Sequence, residues 1–533
     1  PDTLPKSRGR PATKPRSAPL ALHLFVLPLL PLQLAAWRER EKEAAMARVG
    51  LLVLALVLAC AAVAAGGAHR HQQRHKHRRG SRRSSARLRL VPAAPDASLA
   101  DRAHDDRHRH AYISSKLASS STSSSSHHGR RAAEAEEATG PAAESSAFAM
   151  PLTSGAYTGT GQYFVRLRVG TPAQPFVLVA DTGSDLTWVK CRGASSSPAG
   201  SSSPRVFRPA DSRSWAPIPC SSDTCTAFVP FSLANCSSTA KPCAYDYRYK
   251  DNSSARGVVG TDSATVALSG GTGNDKKAKL QEVVLGCTTS YDGESFQASD
   301  GVLSLGNSNI SFASRAAARF GGRFSYCLVD HLAPRNATSY LTFGPPDADD
   351  DSRGSAAPAA PLPSSRTPLL LDARMAPFYA VTVDAVSVAG EALAIPPAVW
   401  DVTMNGGAIL DSGTSLTILA TPAYNAVVKA LSKQLAGVPR VTMDPFEYCY
   451  NWTASSTPPA VPKLEVRFAG SARLEPPAKS YVIDAAPGVK CIGLQEGAWP
   501  GVSVIGNILQ QEHLWEFDLA NRWLMFKQSR CAH

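Results

Sequence analysis

From Gly161 onward, short runs rich in Val, Ile, Tyr and Phe alternate with turns rich in Gly, Ser, Pro and Asp. Runs of four to eight such residues, bounded by turn formers, predict β-strands. Glu282 to Gly286, Phe378 to Val383 and Leu464 to Phe468 are examples. One stretch breaks the pattern. Pro422 to Leu435 carries Val427, Val428, Leu431 and Leu435 at helical spacing and predicts an amphipathic helix. The expectation is an all-β fold with few helices. Gly344 to Arg374 is rich in Pro, Ala, Ser and Asp and reads as a connection between two β-rich lobes. The expected domains are a first lobe over 151–344, a linker over 345–374 and a second lobe over 375–533.

The N-terminal third has a different pattern. Residues 66–150 hold few large apolar side chains and cannot bury a core, so they read as a disordered basic segment. Met46 is the first methionine, which suggests that 1–45 is an upstream translation artefact or an unstructured extension. From Met46 a leader-like pattern follows over 46–65: Arg48, an apolar run from Val49 to Cys60, then Ala62-Val63-Ala64 as a cleavage site. Leu20 to Leu34 is also apolar but is broken by Pro28 and Pro31.

Charge follows the same division. The net charge is +13, but residues 1–150 hold 24 Lys+Arg against 12 Asp+Glu, leaving 32 against 31 for the rest. The basic character belongs to the N-terminal segment, so it does not make the β-rich part a nucleic-acid binder. Its histidines, including the cluster His69 to His77, suggest an arm that covers an acidic site and leaves when acid charges it.

The candidate chemistry lies in a repeat. Asp181-Thr182-Gly183-Ser184-Asp185-Leu186-Thr187 recurs as Asp411-Ser412-Gly413-Thr414-Ser415-Leu416-Thr417, each copy after an apolar run. Two surface turns would need neither the run nor the repeated Leu-Thr, so the pattern reads as an internal duplication that pairs Asp181 with Asp411. Two carboxyl groups about 3 Å apart share one proton, which makes one a base and the other an acid at the same pH. Such a pair suits attack of water on an amide. Gly183 and Gly413 allow tight turns, while hydroxyls of Thr182, Ser184, Ser412 and Thr414 support the loops. The chemistry calls for no metal or cofactor.

These motifs resemble the pepsin-type aspartic proteases, specifically the plant nepenthesin-like branch, over roughly 370 residues. The shared-proton pair is the known arrangement of that family. Further marks are Tyr163-Phe164-Val165, Val169-Gly170-Thr171-Pro172, Phe324 to Leu328 and Gln510-Gln511. Asp300 to Gly306 and Val504 to Asn507 match the hydrophobic-Gly segments behind each catalytic loop. The resemblance implies a bilobal pepsin-like fold with the cleft between lobes, and makes 66–150 a propeptide. It also implies that Tyr249 is the substrate-binding flap tyrosine, braced by Trp188. Lys250 and Asn252 depart from the glycines usual in that flap.

Eleven cysteines include Cys60 in the leader and ten beyond it. With sequons at Asn235, Asn252, Asn309, Asn336 and Asn451, they point to disulfides and a secretory route to the apoplast or a vacuole. By resemblance, Cys449 pairs with Cys491. A zinc reading of Cys220, Cys225, Cys236 and Cys243 lacks a matching histidine pair. The implied function is acid endopeptidase action on protein or peptide substrates by a monomer sensitive to pepstatin-type inhibitors, with no stable membrane span in the mature form. The alternatives are a non-catalytic, glycosidase-inhibitor-like binding protein on the same fold, or DNA binding through the basic segment.

Overall fold

Strand alternation in the sequence becomes strand burial in three dimensions. Leu464–Phe468 alternates between buried and less buried positions, and Tyr163–Val169 turns Arg168 outward while burying Leu167 and Val169. A computed structural model of the chain describes residues 110, 113, 148–154, 161–192, 205–229, 241–248, 254–268, 277–293, 296–334, 337–344, 365–454, 457 and 460–532. The leader, the 1–45 extension, the His69–His77 cluster and most of the basic segment lie outside the described residues. So do Tyr249, Asn235, Asn252, Asn336 and 345–364.

Six antiparallel strands join the two halves of the chain. In spatial order they are Ser365–Pro368, Trp523–Gln528, His513–Asp518, Arg323–Cys327, Ser339–Phe343 and Phe148–Ser154. Ser365–Pro368 therefore falls inside the span read from sequence as a linker. Strand Phe148–Ser154 continues into the first lobe through Tyr163–Val169. Three smaller sheets of five, four and four strands build the second lobe from residues 379–506. The fold is the expected all-β, bilobal one.

The strongest helix signal is realised as Thr421–Gln434, with Val427, Val428 and Leu431 buried and Pro422 in its first turn, where a missing N–H costs nothing. A second helix, Phe312–Arg319, starts at Ser311, whose side chain accepts the Ser314 N–H. Among the described residues no helix is long and apolar enough to cross a membrane.

Four disulfides join described cysteines: Cys191–Cys287, Cys225–Cys243, Cys327–Cys531 and Cys449–Cys491. The last is the pair expected by resemblance, facing across neighbouring strands Phe446–Asn451 and Val489–Ile492. Cys220 is also disulfide-bonded. The thiols of the zinc reading are therefore consumed at Cys220, Cys225 and Cys243.

Candidate active site

Each lobe presents its aspartate at the end of a strand. In the first lobe β1 (Gln174–Asp181) lies parallel to β3 (Gly301–Ser304), with β2 (Trp188–Lys190) antiparallel to β3. In the second, β4 (Ala408–Asp411) lies parallel to β7 (Ser503–Gly506), with β5 (Thr417–Ala420) antiparallel to β7. The neighbour of β5 is β6 (Leu494–Gly497), which pairs with it in parallel. The sequence repeat is thus a repeat of topology.

The two loops hold one another. The Thr182 N–H donates to Ser412 Oγ at 3.0 Å, and the Ser412 N–H donates to Thr182 Oγ1 at 2.9 Å. Ser412 Oγ then donates to the Ala180 carbonyl at 2.9 Å, and Thr182 Oγ1 to the Leu410 carbonyl at 3.3 Å. All four groups are buried, where an unmade hydrogen bond is costly. This exchange ties the residue after Asp181 to the residue after Asp411. Both aspartates are buried, at 2% and 0% exposure, so their carboxyls sit where charge interactions are strong.

The triplet glycines act through their amides. The Gly183 N–H donates to Asp181 Oδ1 and the Gly413 N–H to Asp411 Oδ1, each at 2.9 Å. The next hydroxyls differ. Thr414 Oγ1 donates to Asp411 Oδ2 at 2.7 Å, whereas Ser184 Oγ donates to the Asp181 main-chain carbonyl at 3.3 Å.

The repeated Leu-Thr has a structural cause. Leu186 and Leu416 are fully buried. Thr187 Oγ1 accepts the Ser304 N–H and Thr417 Oγ1 accepts the Gly506 N–H, both at 3.1 Å. Each threonine ties its loop to the strand passing behind it.

That strand differs between the two lobes. The residue in register with Asp181 is Ser304, not a glycine, while Gly506 is in register with Asp411. Ser304 fits because its hydroxyl turns away, bonding Thr187 Oγ1 at 2.9 Å and accepting the Phe312 N–H at 3.2 Å. Gly506 has no such room. A Cβ there would lie 2.5 Å from the Leu416 carbonyl oxygen. Gly506→Ala is therefore expected to destabilise the protein by about 1–3 kcal/mol, and Ser304→Gly by about 1 kcal/mol. Urea denaturation of both variants checks the order.

A polar network underlies the second loop. Asn507 Nδ2 donates to the Ser412 carbonyl at 3.0 Å and to the Gly161 carbonyl at 2.8 Å. Gln510 accepts from the Tyr326 hydroxyl at 2.5 Å and donates to the Ile505 carbonyl at 2.7 Å. Burial, then the charge of nearby Asp411, pushes the Tyr326 phenol well above its usual range, so it stays a donor. Gln511 donates to the Tyr163 hydroxyl at 2.9 Å. These contacts account for the Gln510-Gln511 pair and for Tyr163.

Trp188 is fully buried, edge-on to Phe296 with ring centroids 4.9 Å apart. It shares an apolar cluster with Tyr245 and Tyr247 of strand Ala244–Arg248, which pairs with Ser254–Ala267. Two positions from Trp188, Lys190 is a buried cation that sequence reasoning missed. Its Nζ donates to the Phe296 and Ser299 carbonyls, each at 2.7 Å. Burial lowers its pKa to about 8, against a smaller opposing effect of Asp300. The folded state is therefore penalised below pH 8, and stability gains as pH rises from there toward the ordinary lysine value. Lys190→Met is expected to remove that rise, read as the difference in denaturation midpoints at pH 7.5 and 9.5. Of the described sequons, Asn309 is exposed, and half-buried Asn451 accepts from Thr453 Oγ1 at 2.8 Å.

Comparison with known proteins agrees with this architecture. Residues 163–345 match the family described as xylanase inhibitor N-terminal, and 378–528 that described as xylanase inhibitor C-terminal. Aspartyl protease family protein 2 of Arabidopsis thaliana is 33% identical over 391 residues, covering 72% of this chain and 74% of that protein. Aspartic proteinase nepenthesin-2 of Nepenthes gracilis is 29% identical, covering 70% and 79%. In fold, the chain is similar to the crystal structure of basic 7S globulin from soybean, at TM-score 0.54 and 18% identity over 72% of this chain and 97% of that one. It is also similar to that of edgp, at TM-score 0.57 and 20% identity over 73% and 96%. With its duplicated Asp-Thr/Ser-Gly loops set on matching strands and a relative of this identity and coverage, the chain belongs to the pepsin-like aspartic protease family.

Proposed function

We propose that the protein is an aspartic endopeptidase that hydrolyses peptide bonds at acid pH, with Asp181 and Asp411 as the catalytic pair. The observation that supports this reading is the reciprocal exchange between Thr182 and Ser412, each of which directly follows a buried aspartate. The pair shares one proton. The ionised member takes a proton from water as the water attacks the amide carbonyl, and the protonated member donates to the carbonyl oxygen. Trp188 braces the wall of the cleft, and Tyr249 closes over the substrate as the flap residue. A protein strand lying between the lobes is the substrate. The disulfides support synthesis in an oxidising compartment, with the apoplast or a vacuole as destination and the basic segment as a propeptide.

The competing reading is a binding protein on the same fold, favoured by the family descriptions that match each lobe. Digestion of a denatured protein across pH 3–7, with and without pepstatin, separates the two. Pepstatin-sensitive cleavage at acid pH supports the endopeptidase. No cleavage by protein whose N-terminal segment has been removed rejects it in favour of a binder.

A further inference from the structure

Strand Tyr163–Val169 carries Arg166 and Arg168 two positions apart, so both side chains leave the same face of the sheet, at backbone positions roughly 7 Å apart. In register with them on β1 are Val177 and Pro175. Directly paired residues share a face, and side chains alternate along a strand. The two arginines therefore lie on the face that carries Val177, Val179 and Asp181. Val177 precedes Asp181 by four residues, about 13 Å along the strand. The arginines are thus outside the aspartate loop but on the same side of the first lobe's sheet.

A third guanidinium and one carboxylate meet there. The Val177 N–H donates to Asp300 Oδ2 at 2.7 Å, and Arg205 Nε donates to the same oxygen at 2.7 Å. Arg205 keeps the donors on its two Nη atoms, and its side chain is 53% exposed. Among the described residues neither Arg166 nor Arg168 has an ion-pair or side-chain hydrogen-bond partner, and Arg166 Nε is a buried donor left unpaired. Asp300 also acts on the buried Lys190, so one carboxylate answers for Arg166, Arg205 and Lys190 together. Burial, then the charges of Arg205 and Arg168, lower the Arg166 pKa from its ordinary value, against a smaller opposing effect of Asp300. Beyond residue 150 the chain holds 32 Lys+Arg against 31 Asp+Glu, so this is a local excess of positive charge on a nearly neutral body.

The arrangement is unfavourable as it stands. Neighbouring guanidinium charges repel, and a buried donor without a partner is costly. An oxyanion offsets both effects. Each guanidinium offers N–H donors in a planar fork that fits two oxygens of a carboxylate or phosphate.

We propose that Arg166, Arg168 and Arg205 form an oxyanion-binding site on the first lobe, which takes the phosphate or carboxylate group of a ligand while Asp300 holds Arg205 in place.

The inference does not rest on the endopeptidase reading, and its test needs no cleavage. The full chain is titrated calorimetrically at pH 7.0 with inorganic phosphate and with succinate, at an ionic strength held constant by sodium chloride, because salt screens exposed charges. Saturable binding of at least one probe to one site is expected. Arg166→Met and Arg168→Gln should each weaken it at least tenfold. Lys429→Gln, which removes an exposed charge from helix Thr421–Gln434, should leave it unchanged. Without ligand, Arg166→Met should keep or raise the denaturation midpoint, because it removes an unpaired donor and a like charge. Binding of phosphate alone assigns the site to phosphoryl groups, and binding of succinate alone to carboxylates. Binding of both assigns it to oxyanions in general, acidic side chains of a peptide included. No saturable binding of either probe overturns the proposal. So does binding that the two arginine variants leave as unchanged as Lys429→Gln does, and a lowered midpoint in Arg166→Met would then mark that arginine as structural.

Discussion

Asp411→Asn is expected to lower kcat/KM on a peptide substrate by about 10³–10⁴-fold while leaving the fold in place. An amide retains the shape of the carboxyl and still accepts the Gly413 N–H, which reaches Asp411 Oδ1 at 2.9 Å in the parent. What it loses is the proton that the two carboxyls share. Neither partner of the altered pair can then act as base and acid together. Asp181→Asn should behave in the same way, and the double variant should lose little more, because groups that act as a unit are not additive. Steady-state assays at pH 3–5, with circular dichroism as the control for folding, check this. Cleavage within tenfold of the parent by either single variant would remove the pair from the mechanism.

Thr182→Val should lower kcat/KM by about a hundredfold, the effect of moving reacting groups by about 1 Å. Valine matches threonine in size but offers no hydroxyl. The Ser412 N–H, which donates to Thr182 Oγ1 at 2.9 Å, and the Leu410 carbonyl would lose their partner inside the protein. Each buried group left unpaired costs about 1–3 kcal/mol, so denaturation should shift by an amount of that order. Thr182→Ser keeps the hydroxyl and should recover most of the activity. Ser412 carries a serine at the matching position and makes the same pair of bonds. Equal activity of the Val and Ser variants would show that the exchange does not position the carboxyls.

The sequence carried the fold because the second lobe repeats the first where chemistry and packing coincide. Apolar run, Asp, small hydroxyl, Gly and Leu-Thr occur twice, and each copy becomes strand, loop and strand. The function of the threonines was not legible. Thr187 meets Ser304 across 117 positions and Thr417 meets Gly506 across 89, so no local spacing reveals the contact. Ser304 was hidden for a related reason. Its neighbours Val302, Leu303 and Gly306 fit the glycine motif, and only the three-dimensional path of its hydroxyl to Thr187 and Phe312 shows how a serine fits. Lys190 follows the buried residues Trp188 and Val189, yet a lone lysine reads as a solvated one. Its carbonyl partners lie 106 and 109 residues away. His110, which fills the space beside Gly497, is one of ten histidines in residues 1–150, and nothing nearby set it apart.

Thr182 holding the Ser412 amide while Ser412 holds the Thr182 amide is the form of an isologous contact, in which residue i touches j and j touches i. Two identical chains related by a two-fold axis would make that contact with identical residues. Here two halves of one chain make it, and identity is no longer required. Thr182 has come to face Ser412, and Ser304 stands in one half where Gly506 stands in the other. Thr414 serves its carboxylate while Ser184 serves a main-chain carbonyl. A symmetric dimer must give both carboxyls the same surroundings, whereas a fused chain is free to make one unlike the other.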